Sequence, residues 1–62
     1  MDYKLKLQQA IHAGVKIQVH LISGETYMGQ CLNGDRPGYY SIQTDKGLFS
    51  FPSWAIKRLK NL

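Results

Sequence analysis

Aromatic and basic residues in the second half of the sequence are the side chains best suited to ligand chemistry. Tyr39 and Tyr40 are adjacent, and Trp54 precedes the basic stretch KRLK at residues 57–60. Aromatic rings stack on nucleobases, each stacked base contributing about 1–3 kcal/mol. Lysine and arginine contact phosphates, with an affinity that falls as salt rises. Together these residue types predict a surface for single-stranded nucleic acid.

The aromatic residues also have structural interpretations, which the sequence leaves open. Trp54 could cover the core or fill a subunit interface, since tryptophans are highly buried on average. Adjacent residues of a strand point to opposite faces of the sheet. One of Tyr39 and Tyr40 is therefore expected in the core, and the other is a stacking platform or a subunit contact. Tyr40 and Ile42 are two residues apart, so they are expected on the same face of the strand.

The basic residues likewise have two interpretations. Lys57, Arg58 and Lys60 could contact phosphates or could belong to a solvated tail, and Lys4 and Lys6 could add to the same field. The chain has eight Lys and Arg against four Asp and Glu, a net charge of +4, and a sequence pI near 9.5. This excess favours polyanions, nucleic acid first among them, although many small domains carry a few extra lysines.

Catalytic and metal-binding chemistry finds no support in the sequence. The four acidic residues form no carboxylate pair, and no Ser, His and Asp are arranged as in a catalytic triad. The soft ligands His12, His20 and Cys31 lack the spacing of a zinc site. A glycine-rich phosphate loop is also missing. We therefore expect a protein that is not an enzyme, has no cofactor and holds no metal.

The length of the chain, 62 residues, predicts a single small domain of marginal stability. A chain of this size buries only about 60% of the surface that its unfolded form exposes, so it needs a disulfide, a metal or a partner subunit. Cys31 is the only cysteine, which excludes an internal disulfide, and we expect it to be a small core residue. Self-association remains, and we expect a homo-oligomer.

The N-terminal residues MDYKLKLQQ are too polar for a signal peptide. Nowhere does the sequence contain the roughly 20 consecutive apolar residues that a membrane helix needs. We therefore expect a cytoplasmic protein.

Apolar periodicity predicts a mainly β domain that spans residues 1–62. Residues 1–14 carry an apolar stripe at helical spacing, with Asp2 as N-cap and Gly14 as the C-terminal stop. Strict alternation of apolar and polar residues begins at residue 15, which indicates half-buried strands. The strands are expected at residues 15–22, 25–32, 39–44, 48–51 and, as a strand or a tail, 56–62.

Local signals predict how these strands connect. Ser23 and Gly24 suit a two-residue hairpin loop, and Gly29 marks a bulge, a bend or a close backbone approach within the second strand. Pro52 ends the fourth strand, and Ser53 is expected to cap a 3₁₀ turn. Short strands with a bend favour a small SH3-like barrel of five strands, closed so that no sheet edge is exposed.

The glycine spacing resembles the first motif of the Sm-like (LSm) family. Gly24, Gly29 and Asp35 form the interval G-x4-G-x5-D, and Asp35 is expected to bond backbone N–H groups of its own loop. The second motif is similar to FSFPSWAIKRL at residues 49–59, and the whole pattern is closest to the bacterial Hfq branch. The first motif comprises Val19, Leu21, Gly24, Tyr27, Gly29 and Asp35.

This resemblance implies a five-stranded barrel with an N-terminal helix that assembles into a ring of about six or seven subunits. The ring would close by pairing the fourth strand of one subunit with the fifth strand of the next. The resemblance also implies binding of single-stranded RNA, often U-rich or A-rich, on the ring faces. Ser53 and Trp54 stand where the family has a Lys-His pair at the pore.

Two further sites follow from the resemblance. A helix glutamine of the Hfq pattern that contacts uridine corresponds here to Gln8 or to Gln9. His20, together with Thr26 and Gln30, would lie on the opposite ring face, although an exposed histidine without a ligand is the plainer interpretation.

The sequence therefore predicts a non-enzymatic, ring-forming protein that binds single-stranded RNA. Two other classes remain: a protein-interaction module that regulates a transcription or nucleic-acid-processing complex, and a barrel that binds duplex DNA. The module would hold its protein partner with Tyr39, Tyr40 and Trp54. The residues expected to bind RNA are Trp54, Tyr39, Tyr40, Ser53, Gln8, His20, Lys57 and Arg58.

Overall fold

The structure, a computed structural model, describes residues 3–62 and confirms the mainly β architecture with an N-terminal helix. Within this range, no helix has the length and apolarity needed to cross a membrane. A 3₁₀ turn at Ser53–Ala55 connects the last two strands. The elements are α1 (Lys4–Ala13), β1 (Lys16–Leu21), β2 (Thr26–Asn33), β3 (Tyr39–Thr44), β4 (Gly47–Pro52) and β5 (Ile56–Asn61).

The ends of the helix are defined by its flanking residues. Gly14 has a left-handed φ of 68°, and its backbone N–H donates to the carbonyl oxygens of Ala10 and Ile11, so it ends the helix as expected. Asp2, the expected N-cap, lies outside the described residues. Tyr3 occupies the cap position and makes no capping hydrogen bond with its side chain.

The five strands form one antiparallel sheet in the order β4-β3-β2-β1-β5. Alternate residues of β1 are buried, and α1 adds Leu7 and Ala10 to the same core. The helix therefore packs against the sheet, as a helix of about three turns must do to be stable. The core residues are Leu7, Ala10, Ile17, Val19, Leu21, Cys31, Tyr40, Ile42, Phe51 and Ile56.

The sheet retains two edges in the part of the chain described, so the expectation that closure removes every edge is wrong. β5 pairs with β1, and β4 pairs with β3, but β4 and β5 do not pair with each other. The 3₁₀ turn at Ser53–Ala55 carries the chain from one edge to the other instead of folding it into a hairpin. Each edge strand therefore keeps a row of N–H and C=O groups unpaired within the sheet.

Gly29 allows β2 and β3 to approach closely. A Cβ atom at Gly29 would lie 2.0 Å from the backbone oxygen of Gln43 in β3. This distance confirms a close backbone approach, one of the three roles expected for a glycine in this strand.

The first hairpin turn is longer than expected. Ile22, Ser23 and Gly24 form the turn, in which the Gly24 N–H donates to the Leu21 oxygen (2.9 Å) and the Leu21 N–H donates to the Glu25 oxygen (2.8 Å). Gly24 supplies the positive φ, 101°, as expected. The two-residue loop was wrong because β1 ends at Leu21 and β2 begins at Thr26, so each strand stops one residue short of its predicted bound at this turn.

The loop between β2 and β3 is ordered by backbone hydrogen bonds. The Gly34 N–H donates to the Tyr39 oxygen (3.0 Å), and the Tyr39 N–H donates to the Arg36 oxygen (3.1 Å). Asp35 is exposed, and its carboxylate accepts no hydrogen bond among residues 3–62, so the expected Asx-type contact was wrong. The loop folds through its own main chain, which leaves this carboxylate facing solvent.

Substitution of Gly29 is expected to destabilise the fold. The added Cβ of Gly29→Ala would overlap the Gln43 oxygen, and overpacking of this kind lowers the free energy of unfolding by about 1–3 kcal/mol. Gly24→Ala is the matched control, because Gly24 has a positive φ but no atom within 4 Å of the added Cβ. Urea unfolding followed by circular dichroism should show the larger loss for Gly29→Ala. Equal losses would contradict the close approach.

Burial of Cys31 makes stability depend on pH in the alkaline range. Desolvation of the thiol, partly offset by a hydrogen bond to the Leu32 backbone, raises the pKa of Cys31 from 9.0 to about 11. The native state therefore keeps a proton that the unfolded chain loses, so stability falls between about pH 9 and 11.

The measurement is the urea midpoint at several pH values for the natural chain and for Cys31→Ala. Tyrosines and lysines titrate in the same range, so the informative quantity is the difference between the two pH dependences. The natural chain should lose more stability on the alkaline side than the variant. Parallel pH dependences would contradict a buried thiol.

Candidate nucleic-acid interface

Two loops meet at one end of the molecule. The backbone N–H of Ser53 donates to the oxygen of Gly38 (2.9 Å), which ties the β2–β3 loop to the 3₁₀ turn. Tyr39, at the start of β3, lies opposite Pro52, at the end of β4. Tyr39 and Trp54 are therefore presented at the same end of the sheet.

Ser53 occupies this junction as a structural residue. It is 4% exposed and is the first residue of the 3₁₀ turn, where Pro52 takes the cap position without a side-chain hydrogen bond. The capping role expected for Ser53 was therefore wrong, since the turn begins one residue earlier than the sequence suggested. Its burial leaves little of its side chain for a ligand.

Trp54 projects into solvent. Its side chain is 72% exposed, so the interpretation that it covers the core of its own chain is wrong. The Ile22 N–H donates to the oxygen of Ala55 (2.8 Å), which places a second exposed apolar side chain beside the turn. Trp54 remains a candidate for base stacking or for a subunit contact.

The structure resolves the two adjacent tyrosines. Tyr40 is 5% exposed and belongs to the core, whereas Tyr39 is 36% exposed. The Arg36 guanidinium lies 5.1 Å from the centroid of the Tyr39 ring, within the range of a cation–π contact. Tyr39 is the stacking candidate of the pair, and Tyr40 is a core residue whose hydroxyl group accepts a hydrogen bond from Gln8.

Gln8 is part of a polar cluster at the same loop. Its Nε2 donates to Asn33 Oδ1 (3.1 Å) and to the Tyr40 hydroxyl oxygen (3.5 Å). These three residues line a pocket of about 370 Å³ that also includes Arg36 and Tyr39. The geometry selects Gln8 rather than Gln9 as the glutamine that faces this loop.

Two members of this cluster were missed by sequence reasoning. Asn33, the last residue of β2, was not among the residues expected to bind RNA, although an amide at the end of a strand is a usable signal for a polar site. Arg36 was not among the residues expected to bind RNA, because its contact with the Tyr39 ring depends on the conformation of the loop. The contacts of both residues depend on the path of the backbone through residues 33–39.

A second set of polar residues lies on the outward face of β1. His20 alternates with the buried residues Val19 and Leu21, and its Nδ1 lies 2.7 Å from the Thr26 hydroxyl. The expected grouping of His20 with Thr26 is present. Gln30 lies elsewhere along β2, where its amide donates to the oxygen of Gly14 (3.2 Å).

The basic residues near the C-terminus belong to β5, so the interpretation as a tail is wrong, but their side chains are solvated as that interpretation expected. Arg58 lies opposite His20 and Lys60 opposite Gln18 in the β1–β5 pairing. Lys57 lies at a shift in register between β1 and β5, and its backbone oxygen accepts a hydrogen bond from the Tyr3 hydroxyl (3.2 Å). Lys57 is therefore set apart from Arg58 and Lys60, which lie opposite residues of β1.

The N-terminal helix and the five antiparallel strands are the elements expected for an Sm-like fold. Among solved structures, the chain is similar to the crystal structure of an Hfq protein from Anabaena sp., with a TM-score of 0.73 and 22% sequence identity. The match covers 95% of this chain and 93% of that chain. The likeness confirms the expected Sm-like, Hfq-like fold. No protein-family model matches the chain, and no curated protein sequence matches it.

The fluorescence of Trp54 should distinguish its two remaining roles. Trp54 is the only tryptophan of the chain, so the emission reports on this site alone. We expect acrylamide to quench the emission of the protein about as strongly as that of free indole, because the side chain is 72% exposed. Strong protection that disappears on dilution to monomers would instead identify Trp54 as a subunit contact.

Proposed function

We propose that this protein is a non-enzymatic, cytoplasmic RNA-binding protein that assembles into an Sm-like ring of identical subunits. Its ligand is single-stranded RNA, held by aromatic stacking and by positive charge. The observation that carries the proposal is the exposure of Trp54, 72% of its side chain, at the end of the sheet that also presents Tyr39. A large aromatic ring exposed on a rigid turn is well placed to stack on a base.

The two unpaired sheet edges support the ring. β4 and β5 lie at opposite ends of the strand order, so β4 of one copy can pair with β5 of the next. Such a contact is head-to-tail, and it closes into a ring when the rotation between neighbours allows it. Ring formation would supply the additional buried surface that a chain of 62 residues needs.

The polar cluster at the loop end supports recognition of bases. Gln8 uses its Nε2 to bond Asn33, which leaves Gln8 Oε1 as an acceptor and Asn33 Nδ2 as a donor. A donor and an acceptor side by side match the hydrogen-bonding edge of an unpaired base. Beside them, the Arg36 guanidinium over the Tyr39 ring offers a planar cationic surface for stacking.

A protein-interaction module is the second candidate, and the apolar patch of Ile22 and Trp54 favours it. These side chains are 61% and 72% exposed and lie next to each other through the bond between Ile22 and Ala55. Salt separates the two functions. RNA affinity should fall linearly on a log–log plot against salt concentration, whereas an apolar protein contact should change little.

Assembly is tested by the mass in solution. Light scattering after size exclusion should give a mass several times the 7.1 kDa of one chain, since each subunit has two edges to satisfy. A monomer at micromolar concentration would contradict the ring.

The stacking role is tested by Trp54→Ala in titrations of fluorescent U-rich and A-rich oligoribonucleotides. Each stacked base that is lost should weaken binding by about 1–3 kcal/mol, or roughly 5- to 150-fold in Kd, so the total loss grows with the number of subunits that the oligonucleotide contacts. Circular dichroism should be unchanged, because the side chain is exposed.

Leu5→Ala is the matched control for Trp54→Ala, because Leu5 is also 72% exposed but lies on α1. Its RNA affinity should equal that of the natural chain, and Trp54→Phe should retain part of the stacking energy. If Leu5→Ala and Trp54→Ala have the same affinity, stacking on Trp54 does not hold RNA.

A further inference from the structure

Asn33 and Gly34, at the end of β2, form a pair of residues with a reactivity of its own. Asparagine is a thermolabile residue, because the backbone nitrogen of the following residue can attack its side-chain amide. A following glycine hinders this attack least, since it has no Cβ atom. Asn33 is the last residue of β2 and is exposed. Its position and its neighbour therefore predispose Asn33 to deamidation.

The packing of the loop between β2 and β3 requires the glycine at position 34. A Cβ atom there would lie 2.5 Å from the backbone oxygen of Tyr39 and 3.0 Å from the Tyr39 Cβ atom. Any side chain at this position would therefore push the loop away from the start of β3. The fold thus retains, directly after Asn33, the residue that leaves the side-chain amide least shielded from attack.

Two hydrogen bonds hold the two reacting groups in the folded chain. The Gly34 N–H, whose nitrogen must lose its proton to attack, donates to the Tyr39 oxygen (3.0 Å). Asn33 Oδ1 accepts a hydrogen bond from Gln8 Nε2 (3.1 Å), which holds the Asn33 side chain toward α1. The reaction therefore needs conformations in which the loop has opened locally, and its rate follows the population of those conformations.

We propose that Asn33 is a deamidation site that these two hydrogen bonds protect in the folded protein. When the loop opens, the Gly34 nitrogen forms a bond to Asn33 Cγ, the bond from Cγ to Nδ2 breaks, and ammonia leaves with the proton that the nitrogen lost. Water then opens the resulting cyclic imide at one of its two carbonyl carbons. Position 33 becomes aspartate or isoaspartate, and the net change is one water consumed and one ammonia released.

The other asparagine of the chain, Asn61, provides an internal comparison. Asn61 is the last residue of β5 and is also exposed. The N–H of the residue that follows it, Leu62, donates to the Lys16 oxygen (3.0 Å), just as the Gly34 N–H donates to Tyr39. The two sites therefore share their place in a strand and a bonded following N–H group, and they differ in the side chain that follows. Leu62 hinders the attack, so Asn61 should stay intact where Asn33 reacts.

The first test follows deamidation by peptide mass spectrometry in mildly alkaline buffer, with and without enough urea to unfold the chain. Asn33 should react roughly 5- to 150-fold faster in urea, the factor that corresponds to the loss of two hydrogen bonds. Asn61 should remain intact in both samples. Equal rates at Asn33 with and without urea would overturn the proposed protection. Equal rates at Asn33 and Asn61 in urea would overturn the role of Gly34.

The second test removes the hydrogen bond that holds the Asn33 side chain. In the folded protein, Gln8→Ala should speed deamidation of Asn33 by about 2- to 12-fold, the factor for one hydrogen bond. Gln9→Ala is the matched control, because Gln9 is the neighbouring exposed glutamine of α1 and does not line the pocket that contains Asn33. In urea all three chains should react at one rate. An acceleration that persists in urea, or equal rates for both folded variants, would overturn the role of Gln8.

Deamidation replaces an amide donor by a negative charge in the pocket that Asn33 shares with Arg36 and Tyr39. Asn33→Asp reproduces this change, and we expect it to bind oligoribonucleotides about 2- to 12-fold more weakly, the factor for one lost hydrogen bond.

Asn61→Asp adds the same charge outside the pocket and should bind as the natural chain does. This consequence rests on the proposed function, whereas the reaction does not. If the natural chain binds no oligoribonucleotide, the proposed function and the consequence fail together, and the deamidation rates still decide the modification site. If the natural chain binds and the two aspartate variants have equal affinity, the consequence alone is overturned.

Discussion

The contact between the backbones of β2 and β3 at Gly29 is the constraint on which the rest of the structure depends. A Cβ atom there would lie 2.0 Å from the Gln43 oxygen, so only a residue without a side chain allows the two strands to meet. β2 is paired to β1 on one side and to β3 on the other. Its path therefore sets where β1 carries His20 and where β3 begins with Tyr39.

The same arrangement keeps the two polar surfaces apart. The loop-end cluster is built from residues at the starts and ends of elements, such as Asn33 and Tyr39, and it is fixed by backbone hydrogen bonds between loops. The second polar surface, on the outward face of β1, lies in the middle of the strand, where register alone aligns His20 with Arg58 of β5. The side chains of the first surface are therefore positioned by hydrogen bonds between loops, and those of the second by strand register.

Much of the fold could be predicted from the sequence because it depends on local signals. Strict alternation located β1, and Gly14 and Gly29 were assigned correctly from the conformations and contacts that glycine permits. The wrong predictions concern positions whose burial depends on contacts with residues distant in the sequence. The exposure of Trp54 and the burial of Ser53 depend on how the 3₁₀ turn meets the Gly38 loop, and no periodicity in the sequence encodes that contact.

The hydrogen bond from the Tyr3 hydroxyl to the Lys57 oxygen joins residues 54 positions apart, and β1 likewise depends on β5 for one of its two partners. A ribosome makes Tyr3 and β1 before β5. The amino-terminal half must therefore wait, with the β1 edge that pairs with β5 still open, until β5 has left the exit tunnel. Contacts this distant in sequence also slow folding, which makes the newly made chain vulnerable to pairing with other strands during that interval.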